Sequence, residues 1–293
     1  MAYREYPADP RLEGWARGFW EAEEFHVART ERHVFMPERS VRLTFSNGTS
    51  HFDFSGRLEP VASMSLFGMN LNPMPMLSSG PTRSFGVELY PWSAQQLFGW
   101  HVEHSYLDLT ETHQRVAHEV QGLLSLDAWD DARETVTDWL FGLIQTRGRE
   151  RSAGVHAAIA LYEQKGHAKI SDLAEAQNLS PRQLERLFAS DIGLSAKTLS
   201  RLIRFEEICD RLYLEPSVSL SALAFDLGFA DQSHLTREFR AFSRMTPKTF
   251  ARISELRRVD ATVMKMLVWG KWSSTPPMQE GGSLTGMSHF FKT

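Results

Sequence analysis

One cysteine, Cys209, stands among 293 residues. No intrachain disulfide can form and a C-x-x-C metal site is excluded, which fits a reducing compartment. No run of 18 apolar residues occurs, so the chain is not expected to span a membrane, and the opening Met-Ala-Tyr-Arg-Glu-Tyr has no apolar signal segment. There is no P-loop, no G-x-G-x-x-G, no G-x-S-x-G and no H-E-x-x-H, so no motif for phosphate cradling, acyl transfer or zinc hydrolysis is present. His101 and His104 flank Glu103, but they follow Pro91 and fall outside the expected strands. The expectation is therefore no metal, no cofactor and no enzyme.

Positive charge is also scarce. With 32 Lys and Arg against 36 Asp and Glu, the formal net charge is -4, so bulk attraction to a polyanion is weak. The balance is uneven. Residues 1–154 carry a net of -7, residues 155–258 a net of +2 and residues 259–293 a net of +1. If the second part binds nucleic acid, the placement of charge must count for more than its total. A chain of this length, 42% hydrophobic and 23% charged, has enough apolar surface for two folded domains.

The first ninety-five residues read as strand and turn. Residues 34–36, 41–45, 51–54, 64–68 and 84–90 are short runs rich in β-branched and aromatic side chains. Asn47-Gly48 lies between two of them as a hairpin signal. Residues 70–75 read as a loop, because their two prolines do not suit a central strand. Beyond Pro91, residues 92–100 suit a short helix, and residues 112–124 and 128–145 carry apolar side chains at helical spacing. Trp129, Ala132, Val136, Trp139, Leu140 and Leu143 form one stripe, which suits either packing on the chain's own body or a dimer interface. The charged residues 147–151 mark a domain boundary.

From residue 155 the pattern is helical, and it repeats. Leu173-Ala174 corresponds to Leu223-Ala224 at a spacing of 50, and Leu184 and Phe188 correspond to Leu235 and Phe239 at a spacing of 51. One residue is thus inserted in the second turn. The small alanines let one helix cross closely over the other. Asn178 and Gly228 stand where the turn needs a left-handed backbone, and Leu179 and Phe229 plug the core. Ser180 and Asp231 are N-caps, with Pro181 at the first helical position. A short helix, a tight turn and a second helix make the geometry that lays a helix in the major groove.

The outward faces of the two second helices are polar. The first presents Arg182, Gln183 and Arg186, and the second Gln232, Ser233, Thr236, Arg237 and Arg240. Arginine pairs with guanine edges or phosphates, and glutamine with adenine. One such face is ordinary solvated surface, but two repeated copies on one connector read as a double DNA-binding unit. Ser195 caps that connector, a helix running to residue 214. About 19 residues span roughly 28 Å, close to the roughly 34 Å of one DNA turn. Arg201 and Arg204 lie on it, as phosphate contacts or as surface charges paired with Glu206 and Glu207. Cys209 is expected to be buried packing.

These residues resemble the AraC/XylS family of bacterial transcription activators. The likeness is carried by Leu173-Ala174, by Leu179 through Phe188, by Arg201-Leu202-Ile203-Arg204-Phe205, by Leu223 through Phe239 with its Gly228-Phe229-Ala230-Asp231-Gln232-Ser233-His234-Leu235 core, and by Thr246-Pro247. The resemblance implies a seven-helix domain that binds double-stranded promoter DNA and contacts RNA polymerase, in a cytoplasmic bacterial protein that works as a homodimer. It places His234 at the turn or on a phosphate. Arg244 stands where the family commonly has glycine. Residues 36–45 and 85–91 resemble the cupin-like sensor domain of a subgroup, with Arg39 in place of a glycine and Arg42 in place of an acidic residue.

The expected fold is α+β. A cupin-like β-barrel over residues 1–95 and helices over 112–146 form a sensor and dimerisation domain (1–152). An all-α domain with two helix-turn-helix motifs follows over 153–255, then a tail over 256–293. A small-molecule effector is expected in the barrel. Arg29, Arg32, His33, Arg39 and Arg42 crowd one stretch and suit an anionic effector through bidentate charged bonds, unless they are surface charges balanced by Glu31 and Glu38. Two other readings stay open: an enzymatic or metabolite-binding barrel with an accessory helical domain, and a regulator controlled by a protein partner.

Overall fold

The alternation of apolar and polar side chains in the first part of the chain builds two antiparallel sheets. The computed structural model describes residues 2–24, 30–54, 57–100 and 106–259. One sheet runs β1 (Ala2–Pro7), β2 (Ala16–Glu24), β9 (Thr82–Leu89), β4 (Val41–Ser46), β7 (Met64–Phe67), β10 (Tyr106–Asp108); the other runs β3 (Thr30–Phe35), β8 (Met74–Ser79), β5 (Thr49–Phe54), β6 (Arg57–Pro60).

The expected barrel is not closed. Each sheet ends on its own edge strands, and among the described residues no ladder joins the two. The turn at Asn47-Gly48 gives the local reason. It connects β4 to β5, which lie in different sheets, so it is a corner and not a hairpin. Neither residue has the positive φ that a tight hairpin turn requires. Gly48 instead lets the backbone approach Thr82, whose side chain a Cβ would meet at 2.3 Å. Asn47 pairs with Arg83 of β9, donating its N–H to the Arg83 carbonyl at 3.1 Å. The expected loop over residues 70–75 also ends earlier, because Pro75 lies in β8 opposite Val34. The β5 ladder stops at Phe52 opposite Met76, so the missing proline N–H is never asked to pair on that side.

Three layers result. On β4, Val41, Leu43 and Phe45 are fully buried toward two helices, α2 (Gln114–Ser125) and α3 (Trp129–Arg147), and Phe45 meets Trp139 edge to face at 6.4 Å. The stripe on α3 is thus spent on the chain's own sheet. The other face of β4, Arg42, Thr44 and Ser46, turns toward the second sheet. Gly86 lies opposite Trp20 in the ladder between β2 and β9, and a Cβ there would sit 2.3 Å from the indole. Gly86→Ala is expected to destabilise the fold by about 1–3 kcal/mol through overpacking. A urea titration measures this, and a loss under about 0.5 kcal/mol would mean that the indole has room to move.

A short helix, α1 (Pro91–Phe98), and seven further helices complete the described chain: α4 (Ala153–Glu163), α5 (Ile170–Ala176), α6 (Pro181–Ile192), α7 (Ala196–Leu214), α8 (Leu220–Asp226), α9 (Gln232–Ser243) and α10 (Pro247–Val259). The helical region is centred on α7, whose Leu199, Leu202, Phe205, Ile208 and Cys209 are buried. Buried apolar contacts run without a break from the sheets into these helices. No helix among the described residues is long and apolar enough to cross a membrane. Residues 260–293, with Trp269 and Trp272, lie outside the described part, as do His101, Glu103, His104 and Arg29.

Candidate DNA-reading face and internal chamber

The two repeated units fold alike for local reasons. In the first, Asn178 takes φ 54° between α5 and α6. Ser180 then caps α6, accepting from the Gln183 N–H at 3.3 Å, while the Gln183 carboxamide oxygen accepts from the Ser180 N–H at 2.9 Å. Two otherwise orphaned donors are satisfied at once. Leu184, Phe188 and Ile192 turn inward, and Arg182, Gln183 and Arg186 turn out to solvent. With its oxygen in the cap, Gln183 has only its amide N–H groups left for a base edge.

In the second unit Gly228 takes φ 65°, and Asp231 caps α9 by accepting from the His234 N–H at 2.7 Å. Leu235, Phe239 and Phe242 are buried, whereas Gln232, Ser233, Arg237 and Arg240 are exposed and Thr236 is half-buried. The His234 ring stands edge-on to Phe229 at 5.4 Å, and the Gln232 oxygen accepts from the Ser221 hydroxyl at 2.9 Å. Among the described residues, Arg182, Arg186, Arg237 and Arg240 carry no ion pair. Four uncommitted guanidinium groups therefore sit on the two helices that the repeat singles out, in a chain that is negative overall.

The connector arginines are placed differently. Arg201 pairs with Glu238 of α9 at 2.6 Å and lies over the Phe242 ring, and Arg204 lies 4.8 Å over the Phe229 ring. Both tie α7 to the second unit. Glu206 and Glu207, expected beside them, face the sheets instead.

Between the two sheets is a chamber of about 70 Å³. Its apolar wall includes Trp20, Phe35, Phe52, Phe67, Met74 and Met76, and its polar wall includes Glu38, Arg42 and a belt of hydroxyls from Ser40 to Ser84. The Phe52 ring is tilted against Phe35 at 5.1 Å and against Phe67 at 4.5 Å. Arg42 is held by Glu38 at 2.5 Å and Glu88 at 3.3 Å, and it lies 5.3 Å over the Trp20 ring. Arg17, also buried, meets Glu88 at 3.4 Å and donates to Ser40 at 2.6 Å. Burial drives the Glu38 carboxyl up to about 7, with Arg42 opposing and Glu88 and Glu206 adding to the rise.

The polypeptide beside Glu38 leaves the chamber for the helical region. Arg39 does not line the cavity. Its Nε lies 2.7 Å from a Glu206 oxygen as an ion pair, its backbone N–H donates to the other Glu206 oxygen, and Glu207 stands 3.5 Å away. The Tyr162 hydroxyl of α4 donates to the Arg39 carbonyl, and Tyr162 meets the stacked rings of Tyr90 and Trp92 edge-on. Burial raises both the Glu206 carboxyl and the Tyr162 hydroxyl. A second tie joins Arg244, which ends α9, to Asn72, between the chamber residues Asn70 and Met74. Nothing is described of the Arg32 and His33 side chains.

Arg244 holds φ 61° at a position suited to glycine. Arg244→Gly should relieve about 1 kcal/mol of left-handed strain and lose an exposed bond worth less than about 1 kcal/mol. A small net gain in a urea titration is the expected result. A loss above about 1 kcal/mol would instead make the Asn72 tie the stronger of the two.

Paired short helices with left-handed turns, capped second helices and one connector settle the class of the helical region. A family model for a helix-turn-helix domain matches residues 173–253, a span that holds both units. The matched residues carry the segments that resemble the AraC/XylS family. A second model, a domain of unknown function (DUF6597), matches residues 4–108. No curated protein matches the chain. Among solved structures, ToxT from Vibrio cholerae is 10% identical with a TM-score of 0.47, over 80% of this chain and 98% of ToxT. Wild-type ToxT from Vibrio cholerae strain SCE256 with a bound unsaturated fatty acid is 11% identical with a TM-score of 0.45, over 80% of this chain and 94% of that one. The C-terminal domain of AraT, a response regulator from Geobacillus stearothermophilus, is 20% identical with a TM-score of 0.34, over 36% of this chain and 88% of that one. Scores below 0.5 do not establish a common overall arrangement.

Sequence reading singled out α6 and α9 and missed the seam. Glu206 and Tyr162 sit at ordinary helix positions, and nothing in their spacing marks them as partners of Arg39, more than a hundred residues away.

Proposed function

We propose that the chain is a transcriptional regulator of the AraC/XylS family, that it reads promoter DNA through α6 and α9, and that a small molecule in the chamber modulates the reading. The observation that carries the second part is the path of residues 36–42. Met36, Glu38, Ser40 and Arg42 line the chamber, while Arg39 between them is clamped to α7, the helix on which both units are mounted. A guest that moves Glu38 moves Arg39 with it, and both ligand states then act on one rigid helix. The partners that this reading implies are double-stranded promoter DNA, RNA polymerase, a small-molecule effector and a second copy of the chain. Dimerisation would supply affinity that the weak net charge does not.

On this reading Arg182, Gln183, Arg186, Gln232, Ser233, Thr236, Arg237 and Arg240 face the DNA. Arg201, Arg204 and His234 hold the units in position and reach at most a phosphate. Arg237→Ala is expected to weaken binding to the specific site by about 1–3 kcal/mol, roughly 5- to 150-fold, and to relax preference at one base pair. Gel shifts with DNA from upstream of the protein's own gene, at fixed salt, test this. Unchanged affinity and preference would remove Arg237 from the interface. Failure of the parent chain to prefer any site over random DNA would remove the whole reading.

A further inference from the structure

The chamber's charged groups specify more than its size. Arginine beside an apolar cavity ordinarily invites an anion. Here Arg42 is already held by two carboxylates, and Arg17 is held by one of them. Around this corner Glu38, Glu88 and Glu206, with Glu207 and Asp210 behind them, outnumber Arg17, Arg39 and Arg42 even with Lys165, which pairs with Glu207 at 3.2 Å. An added anion would face that acidic excess. The Glu38 carboxylate, by contrast, uses one oxygen on Arg42 and leaves Oε1 buried with no hydrogen-bond partner. An unpartnered buried carboxylate oxygen is costly and is relieved by a charged donor. Phe35, Phe52 and Phe67 form an aromatic cluster on the same chamber, and aromatic faces favour organic cations.

We propose that the chamber takes a small organic cation, an amine with an apolar body, whose ammonium is bound by the free oxygen of Glu38 and the faces of the neighbouring phenylalanines. The proposal rests on the chamber being the effector site and adds the sign of the effector's charge. The elevated Glu38 carboxyl agrees with it, since burial and the nearby acids disfavour bare negative charge there and a bound cation would restore it.

Isothermal titration of the full chain at pH 7.5 with n-butylamine, n-butanol and butyrate tests the class at matched length. The expected order is amine first, at least tenfold tighter than butyrate, with Glu38→Gln lowering amine affinity at least tenfold and leaving butanol binding unchanged. Retained butanol binding also shows that the variant still folds around the chamber. Butyrate binding tighter than amine, or amine binding indifferent to Glu38→Gln, overturns the cationic assignment while the effector chamber stands. Binding of none of the three, in parent or variant, overturns the chamber reading and the inference with it.

Discussion

Glu206→Ala is expected to cost the folded chain about 3–5 kcal/mol, because it removes one member of a buried ion pair and strands the other. Both Glu206 oxygens are used, one on the Arg39 N–H and one on the guanidinium at 2.7 Å, and the two side chains are only 5% and 8% exposed. After the change Arg39 keeps Glu207 at 3.5 Å as its remaining acid. Urea unfolding at neutral pH measures the loss. Arg39→Ala in the same background should restore part of it, since the stranded charge disappears, and the coupling between the two changes should exceed about 1 kcal/mol. A loss below about 1 kcal/mol with no coupling would mean that water reaches the seam. It would also remove the physical link between chamber and reader. If the seam transmits ligand binding, a milder variant, Glu206→Gln, should fold and bind the promoter site, while an effector no longer changes its affinity.

Glu38→Gln should remove a pH dependence that is unusual in sign for a carboxylate. The folded carboxyl stands at about 7, above its ordinary value of 4.5, so the folded state holds a proton that the unfolded chain has released. Stability from this group is full below about pH 4.5 and is lost as pH rises through 7, by about 3 kcal/mol in all. Arg42 opposes the shift, and Glu88 and Glu206 reinforce it. Parent and variant should unfold at similar urea concentrations at pH 4.5, with the variant more stable by pH 8. Glu88 and Glu206 interact with Glu38, so the difference between the curves includes that coupling. The opposite trend, with the parent gaining on the variant as pH rises, would show that the Arg42 pair outweighs burial.

The paired helical units were legible because their signals are local. Caps at Ser180, Ser195 and Asp231, left-handed positions at Asn178 and Gly228, and inward Leu and Phe residues at helical spacing act within a few residues of one another. The same positions then recur fifty residues later. Such interactions do not depend on what the rest of the chain does, so sequence order alone carries them. The connector likewise follows from one cap and one apolar stripe, and the structure gives it the nineteen residues that were expected.

What the tertiary structure decided is pairing at a distance. Asn47-Gly48 looks like a hairpin in sequence, yet the strands that it joins find partners in different sheets, and this leaves a sandwich with open edges in place of a barrel. Arg39 and Arg42 stand three residues apart and look like one cluster awaiting an anion. β4 turns Arg42 into the chamber, between two acids, and the bend before it delivers Arg39 to Glu206 on a helix 167 residues away. The sequence by itself determined that two capped helices stand on one rod. Only the fold decided where its buried charges meet, because the energy of a buried charge depends on which neighbours surround it and not on its place in the chain.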